Sequence, residues 1–258
     1  MAAVWWGAAS SASASAWNPA PWKGELISGY VVSTASEAVD DAGEIVALDI
    51  YRKQIVQNYG NVGLTDRIAL VGSFDWQDTQ IAAPGLEAAF SRPSSVSAGL
   101  QYQLSRRQGH ATAISVSYID GIDLPVQLLT LESRKPSVEV RALWGESRSL
   151  LGRNAFAELQ LAGRMELGGR YASTHAQATL GMDPTARTKL LAKGRYARIE
   201  GGMFEQIPIA RQERWEVEAS AVWRAWRQNY VELGYVGTVG VRNGVRESGY
   251  KIGYWTKF

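Results

Sequence analysis

Charged residues recur at every second position in three short stretches, Glu139-x-Arg141, Lys193-x-Arg195 and Glu216-x-Glu218. In an extended chain, positions i and i+2 project to one face, so each stretch sets two charges on the same wall. Glu158, Arg164 and Glu232 share that parity within their own segments, as do Lys23, Glu25, Asp75 and Lys251. Lys193 and Arg195 come one segment before Glu216 and Glu218, which predicts opposite charges facing each other across neighbouring strands. Around a lumen, such walls do one of two things. As rings of charge they select solutes at a constriction; as mutual ion pairs they fill the space. A second candidate chemistry lies in Tyr171-Ala-Ser173-Thr-His175, where a hydroxyl and an imidazole stand one inward step apart. That is the beginning of a nucleophile–base pair.

Composition removes most other chemistry. The 258 residues include no cysteine and two histidines, His110 and His175. Disulfide frameworks, thiolate zinc sites and cysteine nucleophiles are excluded, and no metal site or cofactor is expected. Lys+Arg 27 against Asp+Glu 25 gives a formal net charge of +2, so no nucleic-acid partner is implied. The Ser105-Arg106-Arg107-Gln108 turn reads as solvated, with lipid head groups or peptidoglycan as the rival contact.

The elements that position these residues are strands. Strict alternation recurs along the chain, whereas helical spacing is hard to find past Trp22. From Trp215 to Arg224, odd positions read Trp, Val, Ala, Ala, Trp and even ones Glu, Glu, Ser, Val, Arg. Ile68–Trp76, Val96–Leu104, Thr112–Tyr118, Val138–Trp144, Ala176–Met182 and Val231–Tyr235 repeat the pattern. Twelve strands are expected, starting near Trp22, Ile45, Arg67, Ser95, Ala111, Pro136, Ala155, Arg170, Thr188, Trp215, Tyr230 and Glu247. Ten or fourteen also fit. Short turns (Thr65-Asp66, Arg106–Gly109, Ser147–Asn154, Asp183–Thr185, Arg224–Gln228) alternate with longer loops (Ala35–Gly43, Asp78–Ser94, Gly121–Lys135, Gly201–Gln212). Glu166–Gly169 and a type I′ hairpin at Arg242-Asn243-Gly244-Val245 would be short loops on the long-loop side. Alternation falters in Tyr51–Leu64, which suggests a bulge or a bend near Tyr59-Gly60.

Three features turn this into an all-β, antiparallel up-and-down transmembrane barrel rather than a soluble sandwich. The polar face is rich in Gly, Ser, Gln and paired charges, as a confined lumen would be. Large aromatics fall near strand ends on the apolar face: Trp22, Trp144 and Trp223 as one girdle, Trp76 and Trp215 as the other, with Tyr118 and Tyr250. The last strand alternates through Tyr250, Ile252, Tyr254 and Thr256 to a terminal Phe258. It resembles the C-terminal signal by which the barrel-assembly machinery recognises bacterial outer-membrane proteins, with Lys251, Gly253 and Phe258 matching. Thr256 stands where a larger hydrophobe is usual.

Ahead of the strands, Met1–Ala9 is apolar and Ser10–Ala16 ends in the small-x-small pattern Ala14-Ser15-Ala16. This is the expected remnant of a secretory leader, residues 1–16, cut before Trp17 and leaving a barrel over 17–258. The positive start of such a leader would lie upstream of Met1. An Ala/Ser tail without a targeting role is the alternative.

Ala16-Trp17-Asn-Pro-Ala-Pro-Trp22-Lys-Gly24-Glu25, followed by Gly63-Leu64-Thr65-Asp66-Arg67-Ile68-Ala-Leu70, resembles the outer-membrane barrels grouped with the meta-pathway phenol-degradation proteins. Asp183-Pro184-Thr185-Ala186-Arg187 resembles a second turn of that kind. The resemblance covers about a tenth of the chain and implies a transport role with no catalytic residues. The expected function is therefore a narrow passive channel or transporter for a small solute in a bacterial outer membrane, with lipid and the assembly machinery as partners. A pore-less structural component and a lipid-modifying enzyme are the alternatives; the His-Ser-Asn pattern of outer-membrane phospholipases is absent.

Overall fold

The computed structural model describes residues 15–83, 86–121, 136–168, 172–200, 202–204, 207–209 and 211–258. Twelve strands form one closed antiparallel barrel: β1 (Gly24–Thr34), β2 (Ile50–Gly63), β3 (Ile68–Ala83), β4 (Leu86–Arg107), β5 (His110–Gly121), β6 (Ser137–Leu150), β7 (Arg153–Glu166), β8 (Ala172–Met182), β9 (Thr188–Ile199), β10 (Gln212–Trp226), β11 (Asn229–Arg242) and β12 (Ser248–Lys257). Each pairs with its neighbours in sequence, and β12 returns to β1. Closure leaves no edge strand, the condition for a sheet to stand in hydrocarbon.

Alternation sorts the side chains as the period demands. Leu70, Phe74, Leu100, Val116, Leu180 and Leu233 are exposed on the outer surface. Such a continuous apolar exterior is what lipid covers. The alternate residues turn inward, where Gln101, Ser115, Glu139, Thr179, Lys193 and Glu218 are buried. One rim carries the start of β1, the end of β12 and the tight turns, the periplasmic side of such barrels; the longer connections lie at the other.

Several expectations are corrected. Asp78–Ser94 is not a loop: β3 and β4 stay paired to Ala83↔Leu86. This hairpin puts polar residues on both faces, Asp78 and Gln80 on one and Gln77 and Thr79 on the other, which hides its period. Tyr51–Leu64 holds no bulge, since β2 keeps one register against both neighbours. The irregularities fall instead at Asp75/Trp76, Gln103/Ser105, Trp215/Glu216 and Arg224/Trp226. Ile45–Ala47 does not begin a barrel strand; it pairs with Glu37–Val39, which also pairs with Gly244–Val245. That sheet replaces the expected type I′ hairpin, and only Asn243 there takes a positive φ, 54°. The turns at Leu151 and Arg227 are tighter than expected, each with φ in the left-handed region. Most of Gly121–Lys135, with 169–171, lies outside the described residues.

The β1–β12 seam runs from Glu25↔Lys257 to Thr34↔Ser248. Gly24 and Phe258 exchange backbone hydrogen bonds at its end, each 3.1 Å. At Gly249 the strands approach so closely that an added Cβ would stand 2.0 Å from the Val32 carbonyl oxygen. Gly249→Val forces this seam apart, and overpacking of this kind costs about 1–3 kcal/mol. The expected result is a reduced fraction of compact, heat-modifiable barrel on cold gel electrophoresis; an unchanged fraction would contradict the assigned seam.

Candidate functional site

The lumen is divided lengthwise by what its walls carry. In the half toward the chain ends, the inward positions of β6, β7, β9, β10 and β12 include Leu143, Phe156, Leu191, Val222 and Trp255. These pack into one buried cluster with Ile27, Tyr59, Val71 and Tyr230. Leu143 and Val222 have the inward parity assigned to the polar face, so alternation placed them correctly. Parity alone did not reveal that they close into an apolar core.

Into this core runs the segment before β1. Ser15, Ala16, Trp17 and Asn18 are all buried, Trp17 at 8% exposure. Ser15 Oγ donates to a Glu158 carboxylate oxygen at 2.8 Å, and the Gln101 amide donates to the Ser15 carbonyl at 2.7 Å and to Asn18 Oδ1 at 2.8 Å. Gln103 donates to the Ala16 carbonyl at 2.8 Å and accepts from the Asn18 backbone N–H at 2.9 Å. Asn18 Nδ2 donates to the Arg67 carbonyl at 2.9 Å, and Arg106 donates to the Asn18 carbonyl at 3.3 Å. The Trp17 ring lies over Gly145, where a Cβ would stand 2.3 Å from it. Only glycine leaves room for that ring. The Ala-Trp-Asn motif therefore fills the lumen, held by Gln101 and Gln103, which alternation puts on the polar face but does not mark out from other wall residues.

Beside this core stands a buried ion-pair cluster. The predicted cross-strand pairing is present, with Lys193 opposite Glu218 and Arg195 opposite Glu216. Lys193 Nζ is 2.9 Å from Glu218 and 3.7 Å from Glu232; Lys251 Nζ is 3.1 Å from Glu218 and 3.0 Å from Glu232. Arg195 also bonds to Glu218. Ser220 Oγ donates to Glu232 at 2.8 Å and Trp255 Nε1 at 3.1 Å, satisfying a carboxylate that is 0% exposed. Gly253 opens the space for it, since a Cβ there would meet Glu232 Oε2 at 3.0 Å. Glycine at that position thus has a packing reason of its own.

Toward the loop rim the lumen opens into a cavity of about 480 Å³. Its wall holds Glu139, Arg141, Arg164, His175, Arg195 and Glu216, facing serines on β3–β5 that include Ser73 and Ser97, 2.7 Å apart. Arg141 reaches Glu139 at 2.7 Å and Gln160 at 2.7 Å, while Arg164 reaches the same Glu139 at 3.2 Å. Glu139 therefore serves two guanidinium groups. At the rim a further set, not singled out from sequence, joins Lys53 to Glu247 at 2.6 Å, with Arg214 and Ser33 also on Glu247. Nothing in local spacing marks that set, because its members come from β1, β2, β10 and the stretch before β12.

Of the residues singled out from sequence, Glu139, Arg141, Arg164, Arg195, Glu216 and Glu218 line the cavity; Lys193 and Glu232 lie beneath it, and Glu158 belongs to the N-terminal segment. Lys23 is exposed ahead of β1 and is not a wall residue. Ser173 Oγ and His175 Nε2 are 2.9 Å apart, but only His175 faces the cavity. Among the aromatics, Trp22 and Trp223 are exposed by the chain-end rim, and Trp215 and Tyr250 by the other. Trp76 is exposed farther along β3, and Trp144 is half-buried within β6, 6.2 Å from His110.

The cluster makes a stability prediction. Lys251→Met leaves Glu218 and Glu232 each short of a cation, and breaking a buried pair costs about 3–5 kcal/mol. The denaturant midpoint of the folded barrel should fall accordingly, and replacing Lys193, Glu218, Glu232 and Lys251 together by Met and Leu should recover most of the loss. A Lys251→Met protein as stable as the parent would contradict the arrangement.

No protein-family model matches this sequence, and no curated protein matches it. Solved structures do. An outer membrane channel from Pseudomonas putida F1 superposes with a TM-score of 0.71 at 15% identity, covering 93% of this chain and 96% of that one. The translocator domain of the autotransporter NalP from Neisseria meningitidis gives 0.56 at 10%, covering 93% and 90%. The NanC porin gives 0.50 at 9%, covering 91% and 100%. At these identities the likeness establishes the fold, a β-barrel of the outer-membrane type.

Proposed function

We propose that the chain is a narrow passive channel for a small polar solute in the bacterial outer membrane, shut at the chain-end rim when Ser15–Asn18 is seated. The observation that carries the reading is the pairing of a solvent-accessible charged cavity at one end with a short chain segment, rather than a wall strand, stopping the other. In this reading Glu139, Arg141, Arg164, Arg195 and Glu216 contact the solute. Lys193, Glu218 and Glu232 brace the wall below, and Trp22, Trp76, Trp144, Trp215, Trp223 and Tyr250 face the lipid interfaces. Gly253 and Phe258 serve the assembly machinery. The likeness to a channel and a porin supports transport over catalysis.

The energetics of the segment fit a stopper that comes and goes. Its seven hydrogen bonds contribute about 1 kcal/mol each net. Burial of the Trp17 ring adds about 2–3 kcal/mol. Against them stands the ordering of four residues at roughly 1–2 kcal/mol of backbone entropy each, with side-chain entropy on top. The two sides balance to within a few kcal/mol, so seated and released states are both within thermal reach.

Single-channel recording in planar bilayers tests this. The parent should give small, intermittent conductance, and Trp17→Gly combined with Gln101→Ala should raise open probability by about tenfold or more. Silence from both well-folded barrels would overturn the channel reading and favour a pore-less structural component.

A further inference from the structure

The formal net charge of +2 conceals an uneven division of charge between the two rims. At the chain-end rim every turn, and the segment entering β1, presents at least one exposed cation. These are Lys23 before β1, Arg67 at β2–β3, Arg107 at β4–β5, Arg153 at β6–β7, Arg187 at β8–β9 and Arg227 at β10–β11. Among the described residues, Asp66 is the one exposed acidic side chain there. Glu146 is paired with Arg148, and Asp183 accepts from Asn154 Nδ2 at 2.9 Å. The loop rim differs: Asp41, Glu44, Asp49, Glu87 and Asp120 are exposed against Arg52, Arg242 and Arg246. The arginine turn Ser105–Gln108 is thus one member of a cationic ring.

The ring coincides with the aromatic girdle of that rim. Lys23 follows the exposed Trp22, Arg187 precedes the pair Thr188↔Trp223, and Arg227 follows Trp226, whose ring is 6.2 Å from Tyr254 on the outer wall. Arg67 donates to the Tyr102 hydroxyl at 3.3 Å, which lays its guanidinium on the lipid-facing surface. Arg107 is paired with His110, whose ring stands 6.2 Å from Trp144. Arg153 pairs with Leu150, next to a Leu151 that is 94% exposed. Indole and phenol rings settle at the head-group level of a bilayer. A guanidinium held at that level meets phosphate oxygens, which its planar fork binds bidentately.

We propose that this ring binds anionic phospholipids of the inner leaflet, whose head groups carry a phosphate and no compensating ammonium, as a shell around the rim. Cations spread round the whole circumference fit a ligand that surrounds the barrel, whereas a protein partner would meet them on one side. The neighbouring Trp22, Trp223, Leu150 and Leu151 fit the glycerol and acyl region of lipid rather than the hydrated sugars and peptides of peptidoglycan. An anionic surface attracts each lysine and arginine near it until salt screens the charge. The inference holds whether or not the lumen passes solute.

The test reconstitutes the purified barrel in phosphatidylcholine vesicles with a trace of spin-labelled phosphatidylglycerol or spin-labelled phosphatidylcholine. In electron paramagnetic resonance spectra, the motionally restricted component should show phosphatidylglycerol associating about threefold or more strongly, a preference lost at about 1 M salt. Replacing Lys23, Arg67, Arg107, Arg153, Arg187 and Arg227 together by Gln should bring the two lipids level. Where that variant does not fold, Arg187→Gln with Arg227→Gln should lower the preference by about a third. Equal association of the two lipids with the parent barrel overturns the proposal, as does a preference that survives the substitutions or the salt. Sedimentation of the parent barrel with isolated peptidoglycan, lost on substitution and unaccompanied by a lipid preference, would assign the ring to that polymer instead.

Discussion

Closure of the backbone ladder is the constraint from which everything else follows. In hydrocarbon an unpaired N–H or C=O costs several kcal/mol, so the sheet must end where it begins. The β1–β12 seam supplies that ending through Glu25↔Lys257 to Thr34↔Ser248. Once the sheet is closed, alternation assigns every second residue to lipid and every other one to a confined interior. That interior is too narrow to be bulk water, so its charges must find partners inside. Lys193, Glu218, Glu232 and Lys251 form a four-member set for this reason, with Trp255 and Ser220 completing the hydrogen bonds of Glu232.

At twelve strands the lumen lies between a barrel filled by its own side chains and one that holds a water channel. This barrel is filled in one half and hollow in the other. Large inward residues such as Leu143, Phe156 and Trp255, joined by Trp17, fill the half toward the chain ends. Serines and long charged side chains leave about 480 Å³ in the other half.

Much of this was legible in the sequence. Strand number, closure and the inward parity of Glu139, Arg141, Lys193, Arg195, Glu216 and Glu218 follow from a period of two. So does the facing of Lys193 and Glu218, because adjacent strands of a meander are antiparallel neighbours. Less legible was anything set by the third dimension. Glu247 meets Lys53 and Arg214 only because the barrel closes, and the β3–β4 hairpin beyond the bilayer lost its alternation with its lipid. The lumen site of Ser15–Asn18 escaped for a different reason. Four residues outside any strand carry no periodicity, and the Ala/Ser context of Ser15 and Ala16 reads as the end of a leader.

The central claim is that the cavity is reached from the loop side and stopped from the chain-end side. The absence of cysteine from the chain makes a direct measurement clean. A single Ser117→Cys on the cavity wall, in oriented vesicles, is treated with a membrane-impermeant thiol reagent added to one face at a time. Rapid labelling from the loop side, with labelling from the other side at least tenfold slower and accelerated by Trp17→Gly, is the predicted result. Equal labelling from both sides with Trp17 intact would contradict the account.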